Sequence, residues 1–536
     1  MIERSLNQFT VGRLALVVVL GMVPATQALS QGLTQDQAQG QPGSPAQFQY
    51  QYQLDAQPPQ YQDQGQTPSY QGQAWLDQSN GFELPSLMST GSNAISGEET
   101  RLGRAWLRQF RAHVPEWRDP IAQHYVEGLV SRLIPYSDLA GINTAVVMVA
   151  NPTLNAFAVP GGVIGVNAGL FAFAHDEAEI ASVIAHELGH LSQRHYARSQ
   201  QRAEQTQIPA MAAMLAGLVA AAAGAGDVGL AAMAGTQAAM VQDQLRYSRR
   251  YEEEADRVGL QAMANAGYEP QAMIDMFRSM QRMMSLQGDT PPEFLLTHPI
   301  TESRISDAED RANQIATGAL REDSLEYHLV RARALKAIHH RDSGQAQSML
   351  RQDNAPEDAH RYLQALIDAQ AGGIDSALAT IDALSSAYPD IAMLPATAVQ
   401  LALDNGRVDD AISRADRQLR LMPGYAPTSM LLAEALLQRD PDRAWRVLSD
   451  LARQRPEDPS VFALLAEAAG RSGHEAWGHL ARAEQTQLEG DIDRAIRQLD
   501  VAEQVARRSS DLNAEIRIRE REKAFRDYRE TMEKFR

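Results

Sequence analysis

Hydrophobic positions recur at helical spacing over most of the chain after residue 84. In residues 98–114, for example, Leu102, Trp106 and Phe110 fall on one face of a helix. The pattern changes at Ala145–Val149, where a β-branched run predicts a short strand. This region therefore combines helices with at least one strand.

A hairpin follows this first strand. Pro160-Gly161-Gly162 separates two short apolar runs, residues 155–159 and 163–166, and this sequence is typical of a tight turn. We predict a mainly α-helical domain at residues 84–324 that contains a small antiparallel sheet.

From about residue 325 the helical pattern acquires a period. Pro389, Pro423 and Pro456 are 34 and 33 residues apart, which is the period of the tetratricopeptide repeat. A single helix pair cannot bury its apolar face, so successive pairs stack into an α-solenoid. Residues 325–536 are therefore predicted to form a tetratricopeptide-repeat domain, with a charged terminal helix over residues 510–536.

The first residues have the pattern of an export signal. Arg4 and Arg13 flank the start, an apolar run covers residues 14–23, and small residues precede a plausible cleavage point at Ala28. Residues 1–28 are predicted to be a signal peptide, with an uncleaved anchor as the alternative. The chain is then expected in the periplasm, where association with the outer membrane is a further option.

A Gln-rich tract follows the predicted signal. Residues 31–80 hold 17 Gln and no Lys or Arg. Such a composition cannot bury enough apolar surface to offset the entropy of ordering. Residues 29–83 are therefore predicted to be a disordered linker, and a Gln/Tyr interaction arm is the alternative.

Charge and composition narrow the possible partners. The net charge of −18 argues against a general nucleic-acid binder, which needs a basic face for the phosphates. Cysteine is absent, so a metal site must use His, Asp or Glu. The apolar segment 208–226 is rich in Ala and Gly, which contribute little to membrane insertion. We predict a lid there, with peripheral membrane contact as the alternative.

One predicted helix carries a metal-binding pattern. The segment His186–His190 reads HELGH, and Asp176 with Glu179 forms a plausible cap before it. Its two histidines lie about 40° apart around the helix, so both imidazoles can reach one cation. Glu187 is close enough to touch a metal-bound water and suits a general base. Residues 84–324 are therefore predicted to be a zincin-type domain, with the small antiparallel sheet beside this helix.

A catalytic zinc needs a third protein ligand and one position left open for water. Glu252 and Asp256 lie four residues apart on a helix-compatible segment and therefore share a face. Glu252 could supply the third ligand, while Asp256 could orient a ligand imidazole. The alternative explanation is a chance pattern of two surface histidines.

A further histidine follows at His298-Pro299. It could belong to a plain surface loop, or it could lie near the metal. In the second case it could stabilise the oxyanion of the reaction, or it could occupy the open position on zinc and hold the enzyme inactive. We hypothesise the inhibitory role.

Four segments occur in an order that resembles the zinc peptidase family that includes the HtpX-type and CAAX prenyl proteases. They are Asn155–Gly162, His186–His190, Ser248–Gly259, and Thr297–Pro299 with Arg304. The resemblance implies one Zn²⁺ per chain, held by His186, His190 and Glu252. It also implies Glu187 as catalytic base and Asp256 as proton donor, although the spacing of Asp256 favours a role in orienting a ligand.

The same resemblance, together with the signal and the repeats, implies a substrate class. It points to unfolded or misassembled outer-membrane β-barrel proteins, with the barrel-assembly machinery as partner. The residues Asn155, Ala156, Phe157 and Ala158 are expected to bind extended substrate by strand addition. The alternative function is a chaperone or adaptor in which the repeats bind partners and the protease site is latent.

Overall fold

The computed structural model describes residues 97–139, 141–199, 201–202, 248–287, 293–316 and 318–533. The predicted signal peptide, the Gln-rich linker and the apolar segment 208–226 all lie outside these described residues. Within them, no helix is both long and apolar enough to cross a membrane.

Two helices precede the sheet. Helix α1 is Gly97–His113 and helix α2 is Pro120–Leu133. Asp119 caps α2, since its carboxylate accepts hydrogen bonds from two amides of the first turn, and Pro120 occupies a position where no amide is needed. The apolar face of α2 is buried against the sheet and against the helix that carries the HELGH sequence.

The sheet has three strands in the order β1-β3-β2. They are β1, Ala145–Val149; β2, Ala156–Val159; and β3, Val163–Asn167. The predicted antiparallel hairpin is confirmed for β2 and β3, but β1 pairs with β3 in parallel, so the sheet is mixed. The apolar runs identify strands but not their partners. Strand β3 lies between β2 and β1, antiparallel to β2 and parallel to β1.

The helix with the HELGH sequence lies next to strand β2. A short helix α3, Leu170–Phe173, leads into α4, Glu177–Ser192. The predicted cap is present, because the Asp176 side chain accepts from the amide of Glu179. The Glu179 carboxylate in turn accepts from the amide of His175, which fixes where α4 begins.

A second long helix, α5, covers residues 248–265 and crosses α4. The two helices approach closely because Gly189 lies against Ala255, and Gly259 lies against the backbone of His186. Three helices complete this region: α6, Gln271–Gln287; α7, Glu293–Thr297; and α8, Glu302–Ala312.

The rest of the described chain is a succession of antiparallel helices. Their bounds are α9, Leu325–Ile338; α10, Ser343–Gln352; α11, Glu357–Gln370; α12, Ile374–Ala387; α13, Met393–Asp404; α14, Val408–Leu421; α15, Ala426–Leu437; α16, Pro441–Gln454; α17, Pro459–Arg471; α18, Glu475–Leu488; α19, Ile492–Ser509; and α20, Leu512–Glu533. Each helix packs mainly on its neighbours in sequence, as the repeat period predicts.

These helical repeats contact the preceding region at both ends. At the start, Arg331 donates to the carbonyl of Phe171 at 2.9 Å. At the end, Ala105 of α1 packs among the apolar side chains of α18 and α20. Arg108 of the same helix donates to Gln487 at 2.6 Å. Helix α1 is therefore held between the sheet and the last repeats.

Candidate metal centre

Helix α4 brings two imidazoles to one point. His186 and His190 lie one turn apart, and their Nε2 atoms are 3.0 Å from each other. His186 is 2 % exposed, and the side chain of His190 is 16 % exposed. Two ring nitrogens that converge in this way can share one bound cation, as the sequence pattern predicts.

Helix α5 adds a carboxylate to this pair. The oxygens of Glu252 lie 3.5 Å from Nε2 of His186 and 3.3 Å from Nε2 of His190. Glu252 is buried. Burial alone would raise the pKa of this carboxyl, but the neighbouring histidines outweigh that effect and hold the pKa well below its usual range.

His298 supplies a fourth donor, from the loop after α7. Its Nδ1 lies 3.3 Å from Nε2 of His186 and 3.1 Å from a carboxylate oxygen of Glu252. With His190, these residues form a group whose donor atoms all lie within 4.8 Å of one another. The side chain of His298 thus lies beside the predicted metal ligands and not in a remote surface loop.

Five of the six separations among the four donors match those expected around a tetrahedral metal ion. Ligand atoms about 2.0–2.1 Å from a zinc ion would be roughly 3.3 Å apart at tetrahedral angles. The separations quoted above range from 3.0 to 3.5 Å. The set of imidazole nitrogens and one carboxylate is also a donor set that divalent transition metals accept. These residues can therefore hold one such ion.

The two helical histidines differ in their metal-free chemistry. Burial lowers the pKa of His190 to about 3, so its ring is neutral. Burial also acts to lower the pKa of His186, but hydrogen bonds with Asp256 and Glu252 outweigh it and raise the pKa to about 9. The raised pKa favours the protonated ring of His186, so a metal that binds there would displace a proton.

Glu187 lies between the metal group and strand β2. It is 2 % exposed, and it accepts a hydrogen bond from the backbone amide of Ala158. Its Oε1 is buried without a hydrogen-bond partner among the described residues, 3.5 Å from Nε2 of His298. Burial raises the pKa of this carboxyl. A buried carboxylate with one unsatisfied oxygen is suited to accept a proton from a polar group that enters the site.

Asp256 contacts the far side of the His186 ring. Its Oδ1 is 2.8 Å from Nδ1 of His186, and both of its oxygens accept from Arg304, at 2.7 and 2.8 Å. Burial would raise the pKa of Asp256, but Arg304 and His186 outweigh it, so the pKa lies below its usual value. The sequence identified Arg304 only as part of the resemblance, because nothing local indicates an ion pair across 48 residues.

His195 was not identified as a site residue from the sequence. Its Nδ1 lies 3.0 Å from Nδ1 of His190, and its Nε2 lies 3.1 Å from Glu254. The ring is 5 % exposed, and burial lowers its pKa. A third histidine five positions after His190 was the only signal in the sequence, and a continuous helix would direct that side chain elsewhere.

The predicted substrate strand forms one edge of the sheet. The side chain of Phe157 is directed into the core, where its ring lies 5.5 Å from that of Trp106. Asn155 and Ala156 are also buried. Because the amide of Ala158 reaches Glu187, the backbone of β2 at this point faces the metal group. Any contribution of β2 to substrate binding would therefore come from its backbone.

Comparison with known proteins identifies both parts of the chain. Residues 120–312 match the model of peptidase family M48, and residues 402–468 match a tetratricopeptide repeat. The beta-barrel assembly-enhancing protease of Escherichia coli (strain K12) is 31% identical over 422 residues, covering 77% of this chain and 85% of that protein.

Two further relatives agree with this assignment. A putative beta-barrel assembly-enhancing protease of Vibrio cholerae is 31% identical over 426 residues, covering 78% of this chain and 87% of that protein. The mitochondrial metalloendopeptidase OMA1 of Arabidopsis thaliana is 29% identical over 211 residues, 39% of each chain. The chain therefore belongs to peptidase family M48, as a metalloprotease with C-terminal tetratricopeptide repeats.

Proposed function

We propose that the chain is a zinc endopeptidase in which His186, His190 and Glu252 bind one zinc ion. The observation that carries the proposal is the separation of their donor atoms, 3.0, 3.3 and 3.5 Å. Two histidines and one glutamate are the ligand set of one class of catalytic zinc sites. When bound, zinc would lower the pKa of its water toward about 7 and polarise the scissile carbonyl.

Glu187 is the proposed general base. The amide of Ala158 holds the carboxylate in place, while the unsatisfied Oε1 is available to the attacking water. Glu187 takes the proton of this water and later delivers it to the leaving amine. The raised pKa of the buried carboxyl supports the second step, because the protonated form is then easier to maintain.

Asp256 is proposed to orient a ligand and not to donate a proton. Its Oδ1 is engaged by Nδ1 of His186, and Arg304 occupies both oxygens. An acid in this position has no free oxygen directed at a substrate. A carboxylate on the outer nitrogen of a metal-bound imidazole fixes the ring and raises its basicity.

His298 is proposed to hold the enzyme inactive in the arrangement described above. Its Nδ1 lies near His186 and Glu252 at distances that match those between the other donors. A histidine in that position would take the coordination position that a catalytic water needs. Activity would then require the loop after α7 to withdraw. The alternative role, stabilising the oxyanion, needs His298 close to the metal but not bound to it.

A single substitution tests the chemistry. Glu187→Gln should retain one zinc per chain and lose proteolysis of casein, since the ligands remain and the base is gone. Glu253→Gln is the matched control, because Glu253 lies on α5 with its side chain 37 % exposed and paired with Arg257. Full proteolysis by Glu187→Gln, or absence of zinc from the wild type, would refute the proposal.

His298→Ala separates the two roles of that residue. Zinc content should remain at one per chain in either case, because three ligands are left. A rise in casein proteolysis would support inhibition by His298. A loss of proteolysis with zinc retained would contradict inhibition and favour stabilisation of the oxyanion.

The substrate class is proposed from the relatives. Two of them are named beta-barrel assembly-enhancing proteases, and we extend this to unfolded or misassembled outer-membrane β-barrel proteins, with the barrel-assembly machinery as partner, in the periplasm. Strand addition at β2 favours extended chains. The test compares the rates at which the enzyme cleaves two forms of one β-barrel protein. One form is unfolded from urea, and the other is folded in detergent micelles. Equal rates for the two forms would contradict the proposal.

A latent protease site remains the second candidate, and one observation favours it: four protein donors surround the metal position. In that case the tetratricopeptide repeats, proposed to span residues 325–536 after a protease domain at 84–324, would act as a chaperone or adaptor. Glu187→Gln distinguishes the two functions in cells. Full support of outer-membrane assembly by this variant would make binding the primary function.

A further inference from the structure

A fourth histidine, His195, lies behind the metal group. Nδ1 of His195 is 3.0 Å from Nδ1 of His190, whereas Nε2 of His190 faces His186 and Glu252. The two nitrogens of an imidazole point in different directions, so His195 is on the side of the His190 ring away from the metal position. It is accordingly absent from the group of possible ligands.

His195 can lie behind the His190 ring because helix α4 ends between these two residues. In a continuous helix, a residue five positions on is rotated by about 140°, away from the His190 ring. Arg194 instead adopts a left-handed conformation with φ of 53°, and a new helical turn begins at His195. The Arg194 side chain is fixed by Glu99 of α1, at 2.8 Å. The break returns His195 beneath His190.

His195 is itself held on its other sides. Its Nε2 lies 3.1 Å from Oε2 of Glu254, which also accepts from Arg198 at 2.8 Å. Its ring stacks on Tyr251, with 4.5 Å between the ring centroids. An imidazole with both nitrogens engaged and one face covered has little freedom to rotate.

A bound metal would define the direction of these hydrogen bonds. If Nε2 of His190 binds the metal, its proton lies on Nδ1 and is donated to Nδ1 of His195. The remaining proton of neutral His195 is then on Nε2 and is donated to Glu254. Each donor meets an acceptor, with no additional proton required.

The two metal-binding histidines thus receive support from the same helix by different routes. Asp256 contacts Nδ1 of His186 directly. Glu254, two positions earlier on α5, lies on another face of that helix, and His195 spans the distance between it and His190. Without His195, Nδ1 of His190 would lose the partner that orients its ring.

We propose that His195 is a positioning residue for the metal site: it fixes the orientation and tautomer of His190 and relays the negative charge of Glu254 to it. This rests on the proposed function, in which His190 is a zinc ligand. His195 is not among the donors that could hold the metal ion. Its contribution is therefore to zinc affinity, and to proteolysis only through the zinc ion.

The test is zinc affinity of the full chain, measured by competition with a chromophoric chelator. His195→Phe keeps the stacking on Tyr251 but removes both nitrogens, and zinc binding should weaken about 10- to 100-fold. His195→Asn places an acceptor near the position of Nδ1 and should weaken binding less than about tenfold. His195→Gln reaches toward Glu254 instead and should resemble His195→Phe. His113→Asn, at an exposed histidine of α1, should match the wild type.

Urea unfolding of the metal-free variants separates positioning from folding, since an unchanged midpoint excludes general destabilisation. If His195→Phe does not fold, the difference in zinc affinity between His195→Asn and His195→Gln tests the proposal instead. Zinc affinity within twofold of wild type in both His195→Phe and His195→Gln would overturn the inference, as would equal weakening by Asn and Gln. A wild type that binds no zinc would instead refute the proposed function itself.

Discussion

The close contact of helices α4 and α5 at Gly189 predicts that one methyl group there would disturb the metal site. A Cβ at Gly189 would lie 2.7 Å from the carbonyl oxygen of Ala255, whereas ordinary contact begins at 3.4 Å. Gly189→Ala therefore requires α5 to move by about 0.7 Å, given these two distances. The side chains of a functional site must be held within about 0.5 Å of their productive positions. Because Ala255 lies between Glu252 and Asp256, the shift would displace both carboxylates.

The energetic consequence has two opposing parts. Overpacking of this kind costs about 1–3 kcal/mol, while replacing a helical glycine with alanine returns about 1 kcal/mol. The free energy of unfolding of the metal-free protein should therefore fall by roughly 0–2 kcal/mol. The displaced carboxylates would also have to move back to close around zinc. Strain of the same size, about 1–3 kcal/mol, would oppose this closure, so metal affinity should fall about 5- to 150-fold, since 1.4 kcal/mol is tenfold.

Gly128→Ala is the matched control for this substitution. A Cβ at Gly128 of α2 would meet only the end of the Arg132 side chain, at 3.6 Å. Zinc affinity should be that of the wild type, with stability unchanged or up to about 1 kcal/mol higher. Chelator competition and urea unfolding measure both quantities. Gly189→Ala with the zinc affinity of Gly128→Ala would refute the reasoning that helix contact sets the ligand geometry.

Two further predictions concern buried charges away from the metal. Burial raises the pKa of Glu179 to about 7, above its unfolded value, so this group stabilises the folded state at low pH and loses that effect as the pH rises from about 4.5 through 7. Glu179→Gln should therefore reduce the difference between the urea midpoints measured at pH 5 and at pH 8. An unchanged difference would contradict the raised pKa of Glu179. Arg333 is buried and pairs with Asp119 at 2.8 Å, so Arg333→Ala should cost about 3–5 kcal/mol in urea unfolding. The exposed pair of Arg361 with Asp358 is the control, and Arg361→Ala should cost under about 1 kcal/mol. If both variants lose the same free energy of unfolding, burial does not make the Arg333 pair more important for stability.

The parts of the site that follow from helical period could be predicted from the sequence. His186 and His190 share a face because they are four residues apart, and the same rule relates Glu252 to Asp256. The distance between these two pairs could not be predicted in this way, since it depends on the contact of Gly189 with Ala255. Sequence period specifies which side chains share a face, while tertiary packing sets how closely two faces approach.

The same limit explains the mixed sheet. Apolar runs and the Pro160-Gly161-Gly162 turn identified β2 and β3 and their antiparallel pairing, because a tight turn permits no other pairing. Strand β1 has no tight turn to either neighbour, so its partner and direction depend on the path of the connecting chain. Its parallel register with β3 was therefore not predictable from local pattern.

His195 was missed for a different reason. Its position depends on a left-handed backbone at Arg194, a conformation that glycine adopts readily but that is uncommon for other residues. Nothing in the residue type signals this turn. The conformation is maintained by contacts that are distant in sequence, including the pair of Arg194 with Glu99 of α1. The contact of His195 with His190 depends on the turn at Arg194, and tertiary contacts maintain that turn. A single sequence therefore gives little indication of it.

The acidic residues of helix α5 can now be ranked by what each does for the metal. Glu252 would bind the ion itself, so its loss removes a ligand. Asp256 contacts the imidazole of His186 directly, is 2 % exposed, and is held by Arg304. Glu254 would act through His195, and its side chain is 33 % exposed, so solvent screens its charge. Zinc affinity should therefore fall most for Glu252→Gln, less for Asp256→Asn and least for Glu254→Gln, because the influence of a carboxylate declines with each intervening group and with exposure to water.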